Sequence, residues 1–326
     1  MEIPPQVSFL AGLTAVVYRR TPTKMKPNNY RPEAWARGKM GWASFLSVFL
    51  IPPFLAVAAQ HKAAWQGPNR PVYVVTRNHY AEGFSPEGPT AKFKDLIAIE
   101  IFNPKPRREG EEAVYNLGEP IALFSGGERS GNVRITKVLP LQCDSTAAVV
   151  STDSSIPFEK DAMALATNAE KISPHANFQK KADAADEKSA KDLAMIEFRK
   201  HGVPESFAKD IKIDQLLSTR IDQSDTRFLI GWLFVEGESG RHEVFLIGRV
   251  DASGAAAELA RYHKTSDLED GKDSQDVRFV DQLDLDGDGS DEIVVEVTFY
   301  ESEAFEIYKR ESRTWTRVHV GGQGGC

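Results

Sequence analysis

Cysteine is nearly absent: the 326 residues contain only Cys143 and Cys326. A disulfide-dense scaffold and a four-cysteine zinc site are thereby excluded, leaving at most one bridge, Cys143 to Cys326, in an oxidising compartment. Surplus positive charge is missing too. Lys plus Arg number 40 against 47 Asp plus Glu, a formal net charge of −7, which excludes the electrostatic footprint of general nucleic-acid binding. The seven histidines, His61, His79, His175, His201, His242, His263 and His319, show no H-E-x-x-H or related spacing. No G-x-S-x-G elbow occurs. The glycines of 125–132 lack the helix-opening Lys-Ser/Thr of a phosphate cradle, so that stretch reads as a hairpin loop. No catalytic or organic-cofactor residue is nominated.

What is present suits a soluble globular body: 41% apolar and 27% charged residues, in a length that favours two domains plus leader material. The one long apolar run, 42–59, carries no charge, follows Arg37 and Lys39, and ends in Ala56-Val57-Ala58. Basic flank, apolar core and A-x-A exit are the pattern of a secretory signal peptide. An uncleaved anchor is the alternative, since eighteen apolar residues lie at the lower limit for spanning a bilayer, but Pro52 and Pro53 interrupt such a helix. Residues 1–41 form an extension too long for a signal-peptide n-region, and a start at Met25 would shorten it. The expected location is periplasmic or secreted, with membrane contact only through 42–59 if that segment is uncleaved. Residues 1–39 carry seven basic and two acidic side chains, so the remaining body has a formal charge of −12 and attracts cations.

That body reads as mainly β with a helical connector. Short apolar runs at 72–75, 96–101, 121–124 and 133–138, separated by turn-rich pieces, predict a β-sandwich or barrel over 65–156. Residues 157–204 shift to Ala, Lys, Glu and Asp and form the connector. Within it 188–201 predicts a helix, with Asp186 or Ser189 as its cap and Gly202 as its stop. Strands resume over 205–320, and the glycine-rich 321–326 is expected to be a flexible tail.

The sharpest motif is Asp284-Leu285-Asp286-Gly287-Asp288-Gly289-Ser290-Asp291-Glu292. Calcium is a hard cation that takes six to eight oxygen ligands, which a tight loop supplies from alternate positions. Asp284, Asp286 and Asp288 fall at positions 1, 3 and 5, the Ser290 carbonyl at 7 and Glu292 at 9. An EF-hand needs Glu at position 12 and an exiting helix. Here position 12 is Val295, and Ile293, Val295, Val297 and Phe299 alternate as a strand does.

Over 283–295 the chain resembles FG-GAP/VCBS-type repeats, whose D-x-D-G-D-G-x-x-[DE] loop feeds a β-strand. The resemblance implies calcium held by Asp284, Asp286, Asp288, Ser290 and Glu292. A second hairpin pattern, 228–247, precedes 293–308 by 65 residues, but its leading segment 221–227 lacks the glycines, so one copy alone can bind metal. Two units are too few to close a propeller ring, and an open sheet pair or sandwich is expected. The function this predicts is an exported, non-catalytic, calcium-stabilised module of the cell envelope with a protein or glycan partner. The alternative is a secreted hydrolase, or an accessory domain of one, which would need an acid, base or nucleophile cluster in a pocket.

Overall fold

The computed structural model describes residues 65–77, 95–105, 115–140, 146–158, 162–237, 240–265, 275–299 and 302–325. The 1–41 extension, the apolar run 42–59, Cys143 and Cys326 lie outside them. All described elements belong to one compact unit, and the fold is mainly β. No helix among the described residues is long and apolar enough to cross a membrane.

Six strands come first: β1 (Val72–Arg77), β2 (Leu96–Phe102), β3 (Pro120–Ser125), β4 (Glu128–Pro140), β5 (Thr146–Thr152) and β6 (Met163–Thr167). They close an antiparallel barrel in the order β1-β2-β5-β4-β3-β6, β6 returning to β1. Its strands alternate two apolar faces. Tyr73, Val75, Ala98, Leu123, Ile135, Ala148, Ala164 and Ala166 fill the interior, where small side chains suit a lumen this narrow. Val72, Val74, Ile97, Ile99, Ile101 and Leu165 point outward and need a cover. β6 lies inside the expected connector, so the barrel runs to Thr167 rather than ending at 156. Of the expected hairpin loop 125–132, only Gly126 and Gly127 turn the chain, and Glu128 onward is strand.

A short strand β7 (Lys180–Lys181) leads into α1 (Ala184–Lys200) and α2 (Glu205–Ala208). The α1 cap is Asp183, not Asp186 or Ser189: Asp183 Oδ1 accepts the Ala185 and Asp186 N–H groups, while Asp186 reaches back to the Asp183 N–H. This reciprocal box satisfies donors that a helix start otherwise leaves open. At the other end Val203 N–H bonds Phe198 O and Gly202 N–H bonds Arg199 O, a Schellman closure.

Two antiparallel meanders follow. The first is β8 (Lys212–Thr219), β9 (Arg227–Gly237), β10 (Gly240–Asp251) and β11 (Gly254–Thr265), with β7 added beside β8. The second is β12 (Gln275–Leu283), β13 (Glu292–Phe299), β14 (Ser302–Glu311) and β15 (Thr314–Gly325). They share one core: Phe228, Ile230, Trp232, Phe245 and Ile247 meet Ile293, Val295, Val297, Tyr308 and Trp315. The two hairpins of similar sequence therefore face each other. Ala190, Leu193, Ala194 and Phe198 of α1 cover the far side of the first meander through Leu229, Leu233, Val244 and Leu246. Val280, Leu283, Leu285, Val294, Phe305 and Ile307 of the second cover the barrel flank. The layers thus run helix, first meander, second meander, barrel. Burial on both faces explains why β9 and β13 are nearly continuous apolar runs rather than alternating ones.

The glycine-rich end is not a loose tail. Gly321 pairs with Phe305, Gly324 with Glu303 and Gly325 with Ser302. Gly321 also lies against β2, where an added Cβ would stand 1.9 Å from the Ile101 carbonyl oxygen.

Candidate metal centre

The acidic loop joins β12 to β13, and its entry residue organises it. Asp284 is buried, and its Oδ1 accepts the N–H groups of Gly287 (2.8 Å) and Asp288 (3.0 Å) while its Oδ2 accepts that of Gly289 (2.9 Å). Such a tight wrap needs left-handed backbone at Gly287 (φ 77°) and Gly289 (φ 89°), which glycine adopts without steric penalty. Asp288 Oδ1 accepts the Ser290 N–H at 2.9 Å, closing the outer turn. Glu292 opens β13 with its side chain fully buried, and its Oε2 takes the Leu285 N–H at 2.8 Å. No helix begins at Ile293.

Asp284, Asp286 and Glu292 each offer one carboxylate oxygen, and the three oxygens lie within 4.8 Å of one another. Asp288 stands further out with its side chain 47% exposed, and Ser290 occupies the half-buried rim. Three of the five expected ligands are thus already gathered. Into the same space β14 sends Lys309, whose Nζ donates to Asp286 Oδ2 (2.6 Å), Asp288 Oδ2 (2.5 Å) and Glu292 Oε1 (3.2 Å). Asp286 Oδ1 is buried and has no hydrogen-bond partner among the described residues.

The electrostatics follow from that crowding. Burial, then the charge of Asp286, pushes the Glu292 carboxyl up to about 8, partly opposed by Lys309. Burial also raises Asp284, against the pull of its three backbone N–H groups. Burial works against the Lys309 ammonium, but its bonds to Asp286 and Asp288 outweigh this, and its pKa is raised. The set of hard carboxylate oxygens suits calcium or magnesium better than a thiophilic metal.

Asp291, inside the motif, faces the other way. Its carboxylate meets His175 Nε2 (3.0 and 2.9 Å) and accepts from Gln282 Nε2 (2.7 Å), and its N–H bonds Ile221 O (2.6 Å). His175 Nδ1 faces the Ala176 carbonyl at 2.8 Å, so both ring nitrogens stand against acceptors. The Asp291 bond raises the His175 pKa, offset in part by burial. With both nitrogens engaged, the pair ties structure together and offers no free base. Close by, Asp281 Oδ1 accepts from Gly126 N (2.8 Å), Gln179 Nε2 (2.8 Å) and Gln282 N (2.9 Å), linking the barrel turn to β12. Neither Lys309 nor the His175 and Asp281 ties was foreseen from the sequence. Lys309 had a signal: it sits one step beyond the Ile293–Tyr308 pair, opposite Glu292. His175 lies 116 residues from Asp291 and had none.

No protein-family model matches the chain, and neither curated proteins nor solved structures yield a match.

Proposed function

We propose that this chain is an exported, non-catalytic β protein whose loop from Asp284 to Glu292 binds calcium, and that the ion stiffens the junction between β12 and β13. The observation that carries this reading is the convergence of the Asp284, Asp286 and Glu292 oxygens within 4.8 Å. Two features add weight: the left-handed glycines of the wrap, and a buried Asp286 oxygen left without a donor. In this reading Asp288, on the outer turn of the loop, would add a fourth carboxylate and the Ser290 carbonyl a fifth ligand. The FG-GAP/VCBS-type resemblance over 283–295 points to the same ion. Export rests on the apolar run 42–59 and its Ala56-Val57-Ala58 exit. The role that follows is a binding or structural module of the cell envelope, held rigid by its ion.

Thermal unfolding of the full chain tests the metal. Saturating calcium should raise Tm by roughly 5 °C over the chelated protein. Asp286→Ala combined with Asp288→Ala should erase that rise. Superimposable wild-type melts in calcium and in chelator would sink the reading. Mass spectrometry of the protein recovered from an exporting host tests the leader: an amino terminus just after Ala58 is expected, and an intact 42–59 segment would replace cleavage with anchoring.

A further inference from the structure

Lys309 is not a bystander to the carboxylate cage. It projects from β14 opposite Glu292, and its ammonium meets carboxylates from the loop and from β13. An ammonium has three N–H donors, and Asp286, Asp288 and Glu292 use all three, so none remains for the orphaned Asp286 Oδ1. Four carboxylates, those of Asp284, Asp286, Asp288 and Glu292, stand against this single positive charge. A calcium ion bonding Asp286 Oδ2, Asp288 Oδ2 and Glu292 Oε1 at about 2.3–2.6 Å would need the space the ammonium fills, and two cations at that range repel. The way out is open on one side: the Lys309 side chain is 14% exposed and Asp288, its outermost partner, 47%.

We propose that Lys309 is the tethered cation that holds this cage when no divalent ion is bound, that calcium enters by displacing its ammonium, and that Lys309 thereby sets the affinity of the site. The proposal rests on the calcium reading of the loop and adds the competitor that governs it. Lys309 makes the ion-free loop persist, since it places a positive charge among Asp286, Asp288 and Glu292 that backbone N–H groups alone do not supply. It also makes weak cations poor occupants, because an entering ion must outdo a charge already in place.

Calorimetric titration of the full chain with calcium chloride compares wild type with Lys309→Gln. The variant should bind calcium about tenfold more tightly or better, and should melt lower than wild type in chelator. Equal affinities would overturn the displacement while leaving the metal site standing. Absence of binding in both proteins would remove the calcium reading and this inference with it. A second measurement needs no variant: acetylation of wild-type amines, read by peptide mass spectrometry, with the exposed Lys188 as internal standard (78% exposed). Lys309 should be protected in chelator and become reactive in calcium. Unchanged Lys309 labelling at calcium levels that raise Tm would overturn the displacement.

Discussion

Asp281 shows how one carboxyl can make the whole chain sensitive to pH. It is wholly buried, and burial pushes it up to about 7 against the bonds from Gly126, Gln282 and Gln179. Its Oδ2 has no hydrogen-bond partner among the described residues. A folded-state value above the unfolded one means that the neutral acid contributes stability below about pH 4, and that this is lost as pH rises through about 7. His175, also raised, has the same sign: its contribution is present below its unfolded value and falls away as pH climbs through the folded one. Denaturant titrations should therefore show wild type losing roughly 2 kcal/mol more than Asp281→Asn between about pH 4 and about pH 8. Parallel pH profiles for the two proteins would refute this. At this scale legibility depends on sequence distance. Asp284, Asp286, Asp288 and Glu292 announce themselves because a loop must place its own ligands at fixed spacing. Asp281 and His175 acquire their roles from partners 155 and 116 residues away, Gly126 and Asp291, which only the packed layers bring close.

Among the elements, β15 is held to β2 by a close backbone approach as well as by side chains. The Gly321 backbone lies so near the Ile101 carbonyl that a methyl group there would collide with main chain, which cannot swing aside. His319 Nε2, 3.0 Å from the same carbonyl oxygen, marks the same seam. Gly321→Ala should cost about 2 kcal/mol or more by prying β15 from β2, read as a lowered Tm and faster amide exchange in both strands. Unaltered exchange in β2 would show that the seam does not depend on the missing Cβ. The sequence misleads here, because consecutive glycines usually mark mobile chain, and only the neighbouring strand reveals that they admit contact. The strand after the acidic loop was legible from period two alone. The true start of α1 was not, since Asp183 caps it from within a run of charged residues that could each have served.

The molecule as a whole is held by sharing cores between layers. The fifteen strands among the described residues were not countable in advance, but mainly-β character was legible, because apolar runs of strand length recur through the body. The expected division at residue 156 dissolves for a physical reason. Val72, Ile99 and Leu165 of the barrel sit in one cluster with Leu283, Val294 and Phe305 of the second meander. Removing either partner would expose that apolar surface to water, at about 25 cal/mol per Å². Calorimetry should therefore register barrel and meanders melting in a single transition. Two resolved transitions would mean that the shared cluster contributes little.

The order of layers in space differs from their order along the chain, and this bears on how the protein is made. A polypeptide released amino end first finishes its barrel at Thr167, yet the cover for that barrel's greasy flank begins only at Gln275. Throughout that interval the flank stands bare, and the first meander, which emerges next, cannot shield it because it belongs on the opposite side of the sheet still to come. During synthesis that apolar flank would therefore wait for the last hairpin before it is covered.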